Sequence, residues 1–153
     1  MSEIKIADLA RPNFAPLEFV ESLTAQRLGL KNEPNKEQLV NGMKLADKMQ
    51  ELRNAIKKPF DITSGFRSKE VNKAVGGSPN SKHMDFLACD LNIAGMNPLE
   101  GVMAIKATKI SVDKCFVERD CIHLQIQSDP SKNQNFFGNA AKINGKWVVS
   151  KLA

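Results

Sequence analysis

The chain contains only two histidines, His83 and His123, and each has a carboxylate nearby in the sequence. Asp90 follows the first histidine in a largely apolar segment, and Asp120 precedes the second. Zinc in hydrolases takes three nitrogen or oxygen ligands from the protein and leaves one position for water. Two imidazoles and one carboxylate meet this requirement. The leading interpretation is therefore a zinc hydrolase with His83, Asp90 and His123 as ligands.

A hydrolytic zinc site also needs a carboxylate outside the coordination shell, which takes a proton from water and delivers it to the leaving amine. Asp120 is the first choice for this general base, because it lies just before His123 at the mouth of the same predicted strand. Strict alternation would put these two side chains on opposite faces, so the role requires a turn or a bulge at Asp120. Glu118 is the weaker alternative, since it lies further from the ligand.

His123 and the cysteines also have purely structural interpretations, in which they play no part in catalysis. A histidine between Ile122 and Leu124 is often a hydrogen-bonded core residue rather than a metal ligand. Cys121 lies two residues from His123 and suggests a thiol nucleophile, but side chains at that spacing in a strand are ~6–7 Å apart. A catalytic Cys–His pair needs hydrogen-bond contact. The cysteines are therefore predicted to be reduced, small buried hydrophobic residues.

The elements that must position these residues follow from hydrophobic periodicity and turn signals. Helices are predicted over residues 16–27, 68–75 and 98–108, and over a long amphipathic segment that begins at an Asn35 N-cap and ends before Pro59. Strands are predicted over residues 60–63, 87–93, 114–117 and 122–127, and over residues 146–149 after an Asn144-Gly145 hairpin signal. This order indicates an α+β domain with an antiparallel sheet and helices packed on one side.

Length and composition fit one globular domain over residues 1–153, with 42% hydrophobic and 25% charged residues. No apolar run approaches the ~18 residues that cross a bilayer, so stable membrane insertion is not expected. The net charge of +5 comes from scattered lysines without a nucleic-acid motif, which disfavours nucleic-acid binding. The first residues mix charged and apolar side chains, so no secretory signal is predicted and synthesis in the cytoplasm is expected.

Several short motifs together resemble those of the M15 family of zinc peptidases. They are the Ile-Thr-Ser-Gly-Phe-Arg-Ser segment at 62–68, Val71-Asn72, the Val-Gly-Gly-Ser segment at 75–78, Ser81-x-His83 through Ala88-x-Asp90, and Asp120-x-x-His123, with further matches near residues 19–25 and 32–34. The family comprises D-alanyl-D-alanine carboxypeptidases and phage L-alanyl-D-glutamate endopeptidases. The resemblance spans most of the chain and implies the hedgehog/DD-peptidase fold that they share.

Position by position, the resemblance implies that His83, Asp90 and His123 hold Zn²⁺. It implies that Asp120 is the general base, since many relatives have glutamate there and the endolysin branch has aspartate. These four assignments agree with the interpretation drawn from the residue types alone.

The resemblance adds two residues and one departure. Arg67 matches an arginine that holds a substrate carboxylate or the developing oxyanion, a task that suits a planar guanidinium; its structural alternatives are a helix cap or a pair with Asp61. Ser81 matches a serine that supports the first ligand by hydrogen bonding, although a serine there also closes turns. Phe86 replaces the usual glycine, and is expected to alter the loop or narrow the cleft if that glycine needs a positive φ.

The expected function is a zinc-dependent peptidoglycan peptidase that cleaves a stem-peptide amide bond, of the phage endolysin type. Such a protein would be made in the host cytoplasm and would reach the cell wall in the periplasm with the help of a holin, or act from a phage particle. One alternative is a D,D-carboxypeptidase that removes terminal D-alanine. An alternative of another class is a catalytically silent wall-binding or phage structural domain with the same fold.

Overall fold

The computed structural model describes the backbone of residues 3–152, and the side chains of that range apart from those of residues 142 and 147. Its helices are α1 (Pro16–Val20), α2 (Leu23–Leu28), α3 (Lys36–Ile56), α4 (Lys69–Ala74) and α5 (Pro98–Ala107), with 3₁₀ turns at Ile6–Leu9, Lys82–Asp85 and Pro130–Lys132. Its strands are β1 (Phe60–Ser64), β2 (Ala88–Ile93), β3 (Lys114–Glu118), β4 (Cys121–Gln125), β5 (Phe136–Ile143) and β6 (Lys146–Lys151). The predicted α+β class is confirmed.

Helix α3 is the longest element and starts at the predicted cap. The Asn35 side chain accepts a hydrogen bond from the Gln38 backbone N–H at 2.8 Å, and the Gln38 side chain accepts one from the Asn35 backbone N–H at 2.8 Å. This reciprocal capping box satisfies two N–H groups that lack helical partners. The helix ends at Ile56 and is followed by Lys57, a C-cap with a left-handed φ of +61°, shortly before Pro59.

The single helix predicted over residues 16–27 is wrong, because the chain forms two short helices there. Helix α1 ends at Val20, and Ser22 adopts an extended conformation. The Ser22 hydroxyl accepts a hydrogen bond from the Ala25 backbone N–H at 3.1 Å and so caps α2. A serine in this position favours the start of a new helix over the continuation of the previous one.

The six strands form one sheet in the order β1-β2-β4-β3-β5-β6. The expectation of an antiparallel sheet is wrong at one place, because β3 and β5 pair in parallel. Strand β4 already has β2 and β3 on its two edges, so β5 adds to the free edge of β3. A simple reversal after β4 then makes β5 run in the direction of β3. The predicted hairpin at Asn144-Gly145 joins β5 to β6, and both residues have positive φ.

The two faces of the sheet have different neighbours. One face carries the core side chains and packs against α3 and α5; for example, Cys89 Sγ of β2 lies 3.5 Å from Met49 Sδ of α3. On α5, a Cβ at Gly101 would meet Ile122 and Ile93 of the sheet. The long helices therefore lie on one side, as expected, and the opposite face of β2, β3 and β4 borders a cleft. No helix in the described range is both long and apolar enough to cross a membrane.

Candidate metal centre

Three side chains from separate structural elements converge on the cleft face of the sheet. Asp90 of β2 and His123 of β4 are direct partners in the antiparallel register, which places both on one face. His83 comes from the 3₁₀ turn that precedes β2. The three residues offer ligand atoms that all lie within 4.8 Å of one another, and all three are buried. The predicted ligand set is thus brought together.

The distances identify the atoms that meet. Asp90 Oδ1 lies 3.3 Å from His83 Nε2 and 3.2 Å from His123 Nδ1. The two imidazole rings stand edge to face, with centroids 5.4 Å apart. One carboxylate oxygen therefore faces one nitrogen of each ring.

The remaining ring nitrogens have partners that accept hydrogen bonds. His83 Nδ1 lies 2.8 Å from the carbonyl oxygen of Gly65, and His123 Nε2 lies 2.9 Å from Gln125 Oε1. Each of these outer nitrogens must then carry the proton of a neutral imidazole. The nitrogens that face Asp90 are left with lone pairs.

This donor set fits a metal cation. Two imidazole lone pairs and an anionic oxygen would repel one another unless a positive charge lies among them, either a proton or a metal ion. Two nitrogens and one oxygen are also ligands that zinc accepts, with room for water as the fourth. Outer hydrogen bonds that fix the ring orientation are typical of metal-binding histidines.

The pKa values of the cluster are shifted in the directions that a positive charge at its centre requires. Burial alone would raise the pKa of Asp90, but hydrogen bonds and charges from His123 and His83 outweigh it and hold the pKa well below its usual range. Burial opposes protonation of His123, yet the hydrogen bond to Asp90 and its charge raise the pKa of this imidazole above its ordinary value. The cluster therefore favours a bound positive charge.

Arg67 contacts the second oxygen of the same carboxylate. Its Nη2 lies 3.2 Å from Asp90 Oδ2, and its Nε donates to Ser64 Oγ at 3.2 Å. Asp61, the alternative ion-pair partner considered above, is not the residue to which the guanidinium is paired. Arg67 therefore orients Asp90 so that one oxygen faces the imidazoles, and it still lines the cleft.

The cleft has a volume of about 660 Å³ and carries charges of both signs around the three converging side chains. The cationic residues in its lining are Arg67, Lys82, Lys114 and Arg119, and the acidic ones are Asp90 and Glu118. A second cleft of about 630 Å³ adjoins it and shares Arg67 and Val75 with it. Arg67 and Val75 thus border both clefts.

The two carboxylates considered for the general base lie in different places. Asp120 is in the two-residue turn between β3 and β4, as its proposed role requires, and its side chain is exposed. Glu118 is the register partner of Cys121 and so shares the cleft face with His123. Glu118 Oε2 lies 3.8 Å from His123 Nδ1, and Glu118 lines the cleft, whereas Asp120 is not among the lining residues. The structure brings Glu118 closer to the site than the sequence indicated.

Ser81 and Phe86 stand on either side of the 3₁₀ turn that carries His83. The Ser81 hydroxyl accepts a hydrogen bond from the His83 backbone N–H at 3.2 Å, so it caps the turn rather than contacting the ring. Phe86 ends the turn with a left-handed φ of +61°. The backbone conformation that favours glycine is thus kept.

The Phe86 side chain turns away from the cleft. It is fully buried, its ring lies 5.4 Å from that of Phe66, and a Cβ at Gly42 of α3 would come within 2.8 Å of it. Phe86 is not among the cleft-lining residues. The expectation that it narrows the cleft is wrong, because the absence of a side chain at Gly42 leaves room for the ring in the core.

The cysteines do not provide a nucleophile. Cys89 and Cys115 are fully buried among core residues, and burial raises the pKa of both thiols. Cys121 lines the cleft, but burial together with the charges of Asp90, Glu118 and Asp120 raises the pKa of its thiol to about 12. A thiol that stays protonated at neutral pH is a poor nucleophile.

Comparison with known families supports the same interpretation. A family model described as Peptidase M15 matches residues 12–125. The chain belongs to the peptidase M15 family. The match covers every residue of this M15 site, from Arg67 to Gln125, and ends before the β5–β6 hairpin. A search of curated proteins returned no match.

Two residues of this M15 cleft were not identified from the sequence. Gln125 contacts His123 directly, and Phe116 stacks on the His123 ring with centroids 4.7 Å apart and an interplanar angle of 26°. Strand alternation could have indicated the first, because Gln125 lies two residues after His123 on the same strand. Phe116 is the register partner of His123 on β3, so register across strands was needed to place it.

Proposed function

We propose that the chain is a zinc-dependent peptidase that cleaves an amide bond in the stem peptide of peptidoglycan, with the hedgehog/DD-peptidase fold and a single domain over residues 1–153. The observation that carries this proposal is the convergence of three lone-pair donors, from His83, Asp90 and His123, in an M15 chain. Family membership supplies the reaction class. The buried donor set supports zinc as the cofactor.

The proposed site residues have two roles, metal binding and proton transfer. A zinc ion held by His83 Nε2, Asp90 Oδ1 and His123 Nδ1 would supply an acidified water and polarise the amide carbonyl. Asp120 takes a proton from the attacking water and passes it to the leaving amine. Its exposed position in the β3–β4 turn leaves its side chain free to turn toward the cleft, and its charge already acts on the thiol of Cys121.

Glu118 is the alternative base, because its carboxylate lies 3.8 Å from His123 Nδ1 and lines the cleft. Catalytic carboxylates often adopt their working positions only with substrate bound. Asp120 therefore remains the preferred base, although it does not line the cleft in the free protein. Arg67 keeps the charge of Asp90 balanced, and its edge that faces the cleft offers donors to a carboxylate or an oxyanion of the substrate.

We propose an endopeptidase of the endolysin type, such as an L-alanyl-D-glutamate peptidase. An endopeptidase needs space on both sides of the scissile bond, and the presence of two clefts that share Arg67 and Val75 supports this proposal. Delivery by a holin from the host cytoplasm, or action from a phage particle, belongs to this proposal, as does attraction of the net charge of +5 to the anionic cell wall.

Digestion of purified muropeptides, with mass spectrometry of the products, tests the proposal. We expect zinc-dependent cleavage within the stem and a loss of both zinc stoichiometry and activity in His83→Ala and His123→Ala. Arg67→Ala should keep the metal and lower turnover. Release of free D-alanine alone would favour the D,D-carboxypeptidase, and binding to sacculi without any peptide release would favour the silent wall-binding domain.

A further inference from the structure

Asp113 is a buried carboxylate that the proposed chemistry does not use. It lies just before β3 and is only 1% exposed. Its Oδ2 accepts a hydrogen bond from Gln125 Nε2 at 2.7 Å, and its Oδ1 accepts one from the Gln134 backbone N–H at 3.2 Å. A buried charge needs such hydrogen-bond partners. One of these partners, Gln125, also contacts the proposed ligand His123.

The contact with Gln125 fixes the direction of its amide. A carboxylate only accepts hydrogen bonds, so the amide must present its NH₂ to Asp113 and its oxygen to the other side. That oxygen lies 2.9 Å from His123 Nε2. Since an amide oxygen only accepts, His123 must carry its proton on Nε2, and Nδ1 is left with the lone pair that faces Asp90.

The backbone holds this arrangement in place. The Asp113 backbone N–H donates to the Gln125 carbonyl oxygen at 2.9 Å, which links the start of β3 to the end of β4. The Phe136 backbone N–H donates to the Asp113 carbonyl oxygen at 3.0 Å, which ties in β5. Phe116 stacks on the His123 ring and limits its rotation. Stacking on Phe116 therefore fixes the orientation of the His123 ring, and the hydrogen bond to Gln125 fixes its tautomer.

We propose that Asp113 and Gln125 form a relay that selects the Nε2-protonated tautomer of His123 and thereby makes Nδ1 a metal ligand. Both are positioning residues, because neither is among the three converging ligands. The inference rests on the proposed zinc site, and it assigns a role to residues outside that site. It predicts that the polarity of two hydrogen bonds, and not only the shape of the pocket, decides the affinity for zinc.

Asp113→Asn tests this polarity without a change in size. With its oxygen kept on the Gln134 N–H, the new amide presents NH₂ to Gln125, so the Gln125 amide must turn and offer NH₂ to His123 Nε2. This arrangement favours the Nδ1-protonated tautomer, which blocks the ligand atom. We expect zinc affinity, measured by chelator competition, to fall by about 10- to 100-fold, the usual effect of losing an outer partner of a metal-binding histidine.

The double variant D113N/Q125E restores the original polarity with the charge moved from one side chain to the other. The amide introduced by Asp113→Asn then donates to the carboxylate introduced by Gln125→Glu, and that carboxylate accepts from His123 Nε2. We expect zinc affinity and the Nε2-protonated tautomer to return, which a merely structural role of Asp113 would not produce. Gln50→Met is the matched control, because Gln50 is a similarly buried glutamine of α3 that contacts Asn13 and Asn54, away from the cleft.

The tautomers are read directly from the ¹⁵N shifts of the His123 ring in zinc-free protein at alkaline pH, where the imidazole is neutral. This readout separates the inference from the proposed function. Wild-type zinc affinity and an unchanged tautomer in Asp113→Asn would overturn the relay, as would a double variant no better than the single one. A wild-type protein with the expected tautomers but no affinity for zinc would refute the proposed metal function and leave the relay supported.

Discussion

The carbonyl oxygen of Gly65 lies 2.8 Å from Nδ1 of His83 and holds the first imidazole in place. Gly65 itself has no room for a side chain, because a Cβ there would collide with the carbonyl oxygen of Phe19. That same oxygen accepts a hydrogen bond from the Phe66 backbone N–H at 2.7 Å. The close approach of α1 to the loop after β1 thus sets the position of a proposed zinc ligand.

Gly65→Ala should therefore weaken the site as well as the fold. The collision with Phe19 forces the loop to shift, which moves the carbonyl oxygen away from His83. We expect a loss of about 1–3 kcal/mol in the free energy of unfolding, as for other overpacked sites, and a zinc affinity lowered about tenfold or more. Gly101→Ala, which overpacks the core face against Ile122, should lose stability with zinc affinity unchanged. Equal zinc affinity in both variants would contradict this role of Gly65.

At position 86 we expect a glycine variant to be more stable than an alanine variant, which is the reverse of the order usual inside helices and strands. Its φ of +61° favours glycine, while its ring fills the space left by Gly42. We expect Phe86→Ala to lose about 3–5 kcal/mol of unfolding free energy through the cavity. Phe86→Gly should be more stable than Phe86→Ala by about 1 kcal/mol, because glycine relieves the strain. Denaturant unfolding measures both, and an alanine variant as stable as the glycine variant would show that the strain is negligible.

The two carboxylates near the β3–β4 turn can be separated by neutral isosteres. We expect Asp120→Asn to lower turnover of a stem peptide by about 10²- to 10⁴-fold, the usual contribution of a general base. Glu118→Gln should have a smaller effect, and neither should abolish zinc binding, since neither residue belongs to the three converging ligands. Turnover measured at saturating zinc shows which of the two carboxylates acts as the general base. The opposite ranking would assign the base to Glu118.

The pair of Asp90 and His123 should give the zinc-free protein a pH-dependent stability. The raised pKa of His123 contributes stability that is present below the unfolded value of about 6.5 and is lost as pH rises through the folded pKa. The lowered pKa of Asp90 contributes stability above about 3.9 that is lost as pH falls through the folded pKa.

Stability of the zinc-free protein should thus decline as pH rises above about 6.5 and through the raised pKa of His123. Zinc affinity should rise over the same range, because the metal competes with the proton on His123. Denaturant unfolding with a chelator, and zinc titration at each pH, measure the two trends. Asp90→Asn is the control for the stability trend alone, since it removes the charge that raises the pKa of His123. A zinc affinity that does not depend on pH in this range would contradict the shared site.

The sequence by itself determined the residue types of the site and most of the elements that carry it. Two histidines and an aspartate at suitable spacing indicated the donor set, because zinc chemistry restricts the possible ligands. The Asn35 cap and the Asn144-Gly145 turn were predictable, since capping and positive φ are local properties of a few residues. The prediction of one helix over residues 16–27 failed, because it followed the apolar stripe and overlooked the local cap at Ser22, which starts a second helix.

Only the tertiary structure decided the relationships between distant segments. The register of β2 on β4 placed Asp90 opposite His123, and the hairpin turn put Glu118 on the cleft face. The parallel pairing of β5 with β3 depended on which strand edge was already occupied. The space that receives Phe86 is opened by Gly42, on another helix. These outcomes depend on packing between residues far apart in the chain, on which local propensity carries no information.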